Sequence, residues 1–105
     1  MISKIKQKAQ QENIPIIRDE TLRAVIEILE EIKPAKILEI GTAVGYSAIC
    51  FSSYLQEGSK IDTIELDEQR AEEAIENIKK LNLADQIHVM VRKCSRNFAN
   101  ITRKI

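Results

Sequence analysis

Ile37-Leu38-Glu39-Ile40-Gly41-Thr42-Ala43-Val44-Gly45-Tyr46-Ser47 is the stretch that decides the fold. Lys36–Ile40 is a short apolar run, too brief for a helix and closed by Gly41, so it reads as a buried strand. Residues 41–45 form a glycine-bounded loop. Residues 46–56 then read as a helix, with Ile49, Tyr54 and Leu55 among its apolar positions and Gly58 as its stop. A strand–loop–helix junction of this kind is where ligands sit in open α/β sheets, past the carboxyl end of the strand. Gly41 is expected to let the chain turn, and Gly45 to let the backbone approach a ligand with no Cβ in the way.

Working upstream, residues 1–13 are polar and read as a helix or arm, and Pro15 keeps Ile14-Pro15-Ile16-Ile17 extended. Asp19 is placed to cap a helix whose apolar face is Leu22, Val25, Ile26, Leu29 and Ile32, stopped by Lys33-Pro34. Downstream, residues 60–66 read as a second strand. Asp67 caps a helix with Ala71, Ala74, Ile75, Ile78 and Leu81 on one face, and Ile87–Val91 reads as a third strand. Strands alternating with helices predict an α/β fold: three parallel strands in order 3-2-1, right-handed crossovers, and helices on both faces. In that order the first strand is a bare edge, which predicts self-association.

The loop and two carboxylates narrow the ligand. Glu65 ends the second strand about twenty residues after Gly45, the spacing at which an acidic side chain accepts hydrogen bonds from ribose hydroxyls. The dinucleotide pattern G-x-G-x-x-G fails, because its second and third glycines would be Ala43 and Tyr46, and no phosphate-binding lysine follows the loop. A ribose-bearing ligand without phosphate fits better. Glu39, just before the loop, suits a cationic amino-acid end, and S-adenosylmethionine carries a sulfonium and an ammonium. Taken singly, each feature has an ordinary explanation: the glycines as a turn, Glu39 as a helix-dipole or surface carboxylate, Glu65 as a solvated strand end. A dinucleotide-binding module and a non-catalytic βαβ interaction domain remain the alternatives.

Residues 38–47 resemble the first motif of the class I, catechol-type O-methyltransferases, and most of all the bacterial branch that includes the tRNA 5-hydroxyuridine O-methyltransferases. The resemblance runs from about Glu12 to about Val91 and takes in Ile14-Pro15-Ile16-Ile17, Thr63-Ile64-Glu65 and Ile87-His88-Val89. It implies the N-terminal half of a Rossmann-like methyltransferase fold, with S-adenosylmethionine as cofactor. Glu39, Gly41, Thr42, Gly45, Tyr46 and Ser47 would line its methionine end, and Glu65 would bind its ribose. Ile17 would touch the cofactor from the N-terminal segment, although core packing explains that residue equally well. The resemblance further implies a hydroxylated acceptor (tRNA or a small molecule), a homodimer, and Mg or another divalent cation.

The pattern breaks after the third strand. The family has Gly-Asp-Ala or similar there; this chain has Arg92-Lys93-Cys94-Ser95-Arg96, with a lysine in place of the aspartate that helps hold adenine. With suitable codons for those five residues, a reading frame shifted by one base encodes Gly-Asn-Ala-Leu-Glu, as the family tends to show. Residues 92–105 are therefore expected to be a divergent tail, either read out of frame or the divergent end of a cloned or natural fragment, after a truncated cofactor-binding domain at 14–91. The family's metal-binding and catalytic residues would follow beyond Ile105, so no catalytic residue and no metal ligand is assigned. Asp67, Glu68 and Asp85 read as caps and surface charges.

The totals agree. At 105 residues the chain is one small domain at most. Lys plus Arg equals Asp plus Glu, so net charge offers no argument for nucleic-acid or lipid binding. Cys50, Cys94 and the single His88 form no zinc pattern. Two lone cysteines, no signal peptide and no long apolar run lead to the expectation of a cytoplasmic protein.

Overall fold

A computed structural model describes residues 1–92. The elements run α1 (Ile2–Gln11), α2 (Asp19–Ile32), β1 (Lys36–Ile40), α3 (Tyr46–Ser52), β2 (Lys60–Glu65), α4 (Glu68–Lys80) and β3 (Ile87–Val91). The strands are parallel in the order β1-β2-β3, as the alternation predicts, with Glu39 level with Thr63 and Glu65 level with Val91. The expected divergent tail, Arg92 apart, lies outside the described residues.

Because the strands succeed one another across the sheet, two right-handed crossovers put α3 and α4 on the same face. That face carries the core, where Ile61, Ile87 and Val89 meet Val44 and Ile49 around α3 and Ile78 of α4. The N-terminal helix joins it: Ile5 and Ala9 are buried, and α1 packs on α3. On the opposite face Leu38 and Ile40 are 63% and 74% exposed. Lys36 and His88 both approach Asp62 there, at 3.2 and 3.8 Å. The second helical layer expected from the sequence does not fall within residues 1–92. For the same reason β1 is not the buried strand its composition suggests: it is the sheet edge, and among the described residues its open-face side chains have no partner layer.

Several element ends differ from expectation. Asp19 does not cap α2; Arg18 holds the cap position, with no side-chain cap bond. Lys6 draws the Asp19 carboxylate away at 2.8 Å, and that pairing holds the carboxyl below its usual range. Helix α3 stops at Ser52, well before Gly58. The Ser52 hydroxyl donates to the carbonyl of Ile49 at 2.6 Å, and Tyr54 N–H turns back to Phe51, so local bonds replace the helical ladder. Gly58 instead takes a positive φ of 87° in the turn before β2. Ile32 is 66% exposed and leaves the predicted apolar face of α2. Asp67 does cap α4, accepting from the N–H groups of Gln69 and Arg70.

Candidate functional site

The loop between β1 and α3 is built by its neighbours. Gly41 and Thr42 both donate to the carbonyl of Ile64, at 2.8 and 3.2 Å, so the loop continues the β2 pairing past the end of β1. Asn77 of α4 reaches across and donates to the carbonyl of Val44 at 2.9 Å. Gly41 and Gly45 sit at φ near +89° and +88°, a region other residues rarely adopt. Their roles differ from expectation. A Cβ on Gly45 would stand 3.4 Å from the Cβ of Ala74, so the backbone at Gly45 approaches helix α4 closely. A Cβ on Gly41 would meet nothing, and Gly41 is the glycine that opens onto free space.

A cavity of about 320 Å³ lies over this loop. Ile17, Glu39, Gly41, Thr42, Tyr46 and Ser47, six of the eight residues singled out in the sequence, line it together with Pro15, Ile16 and Phe51. The extended segment between α1 and α2 thus forms one wall, as the position of Ile17 suggested. Gly45 and Glu65 do not line it.

Glu39 is the one acidic side chain on the cavity wall. Its carboxylate is partly buried and accepts hydrogen bonds from the hydroxyls of Ser47 and, at 2.7 Å, Thr63. Burial pushes this carboxyl above its ordinary range, while the Ser47 and Thr63 hydrogen bonds pull it back. Thr42 and Thr63, both fully buried, share a hydrogen bond of 2.6 Å behind it. Sequence reasoning missed Thr63 as a site residue. Its signal was a polar side chain in the buried phase of Ile61, Thr63 and Glu65.

Glu65 is 9% exposed and occupied by backbone. One oxygen accepts from the Ala43 N–H at 2.7 Å, and the other from Leu66 and Asp67 at 3.1 and 3.0 Å. It ties the loop to the start of α4. An ionised carboxylate has about four acceptor sites, so three N–H groups leave about one. Tyr46 is buried and Cys50 half-buried; burial raises both groups above their usual range, which keeps Cys50 a poor nucleophile. Among the described residues no group of three His, Cys, Asp or Glu could hold a metal ion.

Residues 5–100 match the family model described as protein-L-isoaspartate(D-aspartate) O-methyltransferase. The chain belongs to this O-methyltransferase family. A catechol O-methyltransferase of Niastella koreensis is 33% identical to this chain over 69 residues, 65% of it and 31% of the relative. A solved structure from Staphylococcus aureus, described as a caffeoyl-CoA O-methyltransferase, superposes with a TM-score of 0.79 at 27% identity, covering 95% of this chain and 47% of that one. An O-methyltransferase from Bacillus cereus, in complex with SAH, shares the fold at a TM-score of 0.78 and 24% identity over 99% of this chain and 48% of its own. The chain thus spans about half the length of these solved structures and under a third of the catechol enzyme. Its three-stranded α/β architecture is the N-terminal part of their Rossmann-like fold.

Proposed function

We propose that this chain is the cofactor-binding half of an S-adenosylmethionine-dependent O-methyltransferase. The observation that carries the reading is Glu39: a partly buried carboxylate, fixed by two hydroxyls, on the wall of a cavity floored by the Gly41 loop. A carboxylate held in this way suits an ammonium better than any neutral or anionic group. Glu39 would hold the α-ammonium, Gly41, Thr42, Tyr46 and Ser47 would surround the methionine end, and Ile17 would close over it. Gly45 supports the site through α4 without entering it. S-adenosylmethionine supplies a methyl group on a sulfonium, activated for transfer to a hydroxyl oxygen. What the chain adds is orientation and the exclusion of water around that group.

Glu65 is assigned to the ribose. Its remaining acceptor site, or exchange of the Ala43 N–H for a hydroxyl, would supply the bonds. The alternative, that Glu65 only clamps the loop, draws support from its three backbone partners.

The acceptor is a hydroxylated molecule. Wobble 5-hydroxyuridine of tRNA is the finer proposal, resting on the likeness of residues 38–47, beside small catechol-like acceptors. A divalent cation would orient the acceptor and lower its pKa, with ligands drawn from outside the described residues. We place the protein in the cytoplasm, acting as a homodimer, with residues 14–91 as the cofactor domain. No described helix is long and apolar enough to cross a membrane. The 105-residue chain alone is expected to bind cofactor without methyl transfer.

Isothermal titration calorimetry with S-adenosylmethionine tests the reading. The folded chain should bind, and Glu39→Gln should weaken binding about tenfold or more, the scale of a lost hydrogen bond to a charge. A chain that is folded by circular dichroism yet gives no heat and no thermal shift would contradict the proposal.

A further inference from the structure

We infer that Thr63 is a positioning residue for Glu39, the middle of a one-way hydroxyl relay that aims and charges the carboxylate from behind. The inference deepens the proposed function, since it concerns the group assigned to the cofactor ammonium.

The geometry fixes the direction of the protons. Thr63 and Glu39 are level neighbours on paired strands, and the Thr63 hydroxyl donates to Glu39 Oε1 at 2.7 Å. A threonine has one hydroxyl proton, so Thr63 has none left for Thr42. The 2.6 Å contact between them is therefore donated by Thr42 to Thr63. Ser47 donates to the other oxygen of Glu39. Two hydroxyl protons go to the carboxylate and the third backs the Thr63 hydroxyl, an arrangement that polarises each bond in the chain and favours the ionised form. Thr42 and Thr63 are 1% and 0% exposed, so no water competes for the bond between them.

The relay acts without help from fixed charge. Burial, Ser47 and Thr63 are the influences on the Glu39 carboxyl, and no charged side chain among the described residues adds to them. The elements packed around it present Thr63 from β2 and Ser47 from α3. Tyr46 is the other titratable side chain on the cavity wall, and the segment before α2 brings only Pro15, Ile16 and Ile17. Thr63 does not line the cavity, which makes its role one of positioning.

The test follows the Glu39 carboxyl by carbon-detected NMR in the ligand-free 105-residue chain, in wild type, Thr63→Val and Thr63→Ser. Valine keeps the shape and removes the hydroxyl; serine keeps the hydroxyl. The midpoint should rise in Thr63→Val and return to near wild type in Thr63→Ser. Calorimetry with S-adenosylmethionine should then show Thr63→Val about tenfold weaker at neutral pH, the loss shrinking as pH rises past the new midpoint. A purely structural role would weaken binding equally at every pH. An unmoved midpoint in a folded Thr63→Val overturns the inference. Should that variant not fold, Thr42→Val carries the test: it deprives Thr63 of its donor, and a smaller shift of the same sign is required. If the midpoints move as stated but S-adenosylmethionine binds no variant, wild type included, the relay stands and the cofactor assignment fails.

Discussion

Two carboxylates, alike in the sequence, part company at the residue scale. Glu39 is desolvated, and its carboxyl lies above the ordinary range. A carboxyl raised on folding contributes stability that is fully present below its unfolded pKa and is lost as pH rises through its folded value. Ligand binding should run the other way, because an ammonium needs the ionised form. The cofactor's thermal shift is therefore expected to grow with pH through the Glu39 titration, and to be flat in Glu39→Gln, whose ligand-free stability should match or exceed wild type at neutral pH. A pH-independent thermal shift in wild type would oppose this. Glu65 plays a structural part, since its oxygens satisfy three backbone donors. Glu65→Gln replaces an acceptor by a donor and should destabilise the ligand-free chain by about 1–3 kcal/mol in chemical denaturation. Both residues were legible as site candidates from position alone. What the sequence could not show was which carboxylate faces the cavity, because that depends on where the loop N–H groups end up.

The loop, the strands and α4 were readable as elements from local chemistry: Gly41 and Gly45 bound the loop, and Asp67 caps its helix. Errors arose where tertiary partners decided the outcome. Lys6 captures Asp19, and the Ser52 hydroxyl ends α3 early, neither visible in the apolar periodicity. Gly45 is the clearest case. Its neighbour Ala74 lies on an element distant in sequence, so the packing role of the glycine emerges only once α4 docks. Gly45→Ala adds a left-handed penalty and a tight contact against α4, and should cost about 2–3 kcal/mol in denaturant unfolding. Gly41→Ala carries the conformational penalty alone, about 1–2 kcal/mol, yet should weaken cofactor binding more than Gly45→Ala because it opens onto the cavity. Equal stability losses in the two variants would contradict the assignment of their roles.

At the scale of the whole molecule the strand order and parallel pairing were legible from alternation, and the open face was not, because a short apolar strand reads as buried whether or not its covering layer lies within the chain. Leu38 and Ile40 on edge strand β1 give the described residues an apolar border with free backbone groups. In size-exclusion chromatography with light scattering, the chain should associate with rising concentration, and Leu38→Lys should reduce that association, as charge on an edge does in natural sheets. A monomer at all concentrations would oppose it. The central claim concerns the cavity above Gly41. A co-crystal structure of the chain with sinefungin, an amine-bearing analogue of S-adenosylmethionine, tests it most directly. The account predicts the amino-acid ammonium against the Glu39 carboxylate and the ribose hydroxyls beside Glu65. Ligand density elsewhere, with the Glu39 cavity empty at saturating analogue, would contradict it.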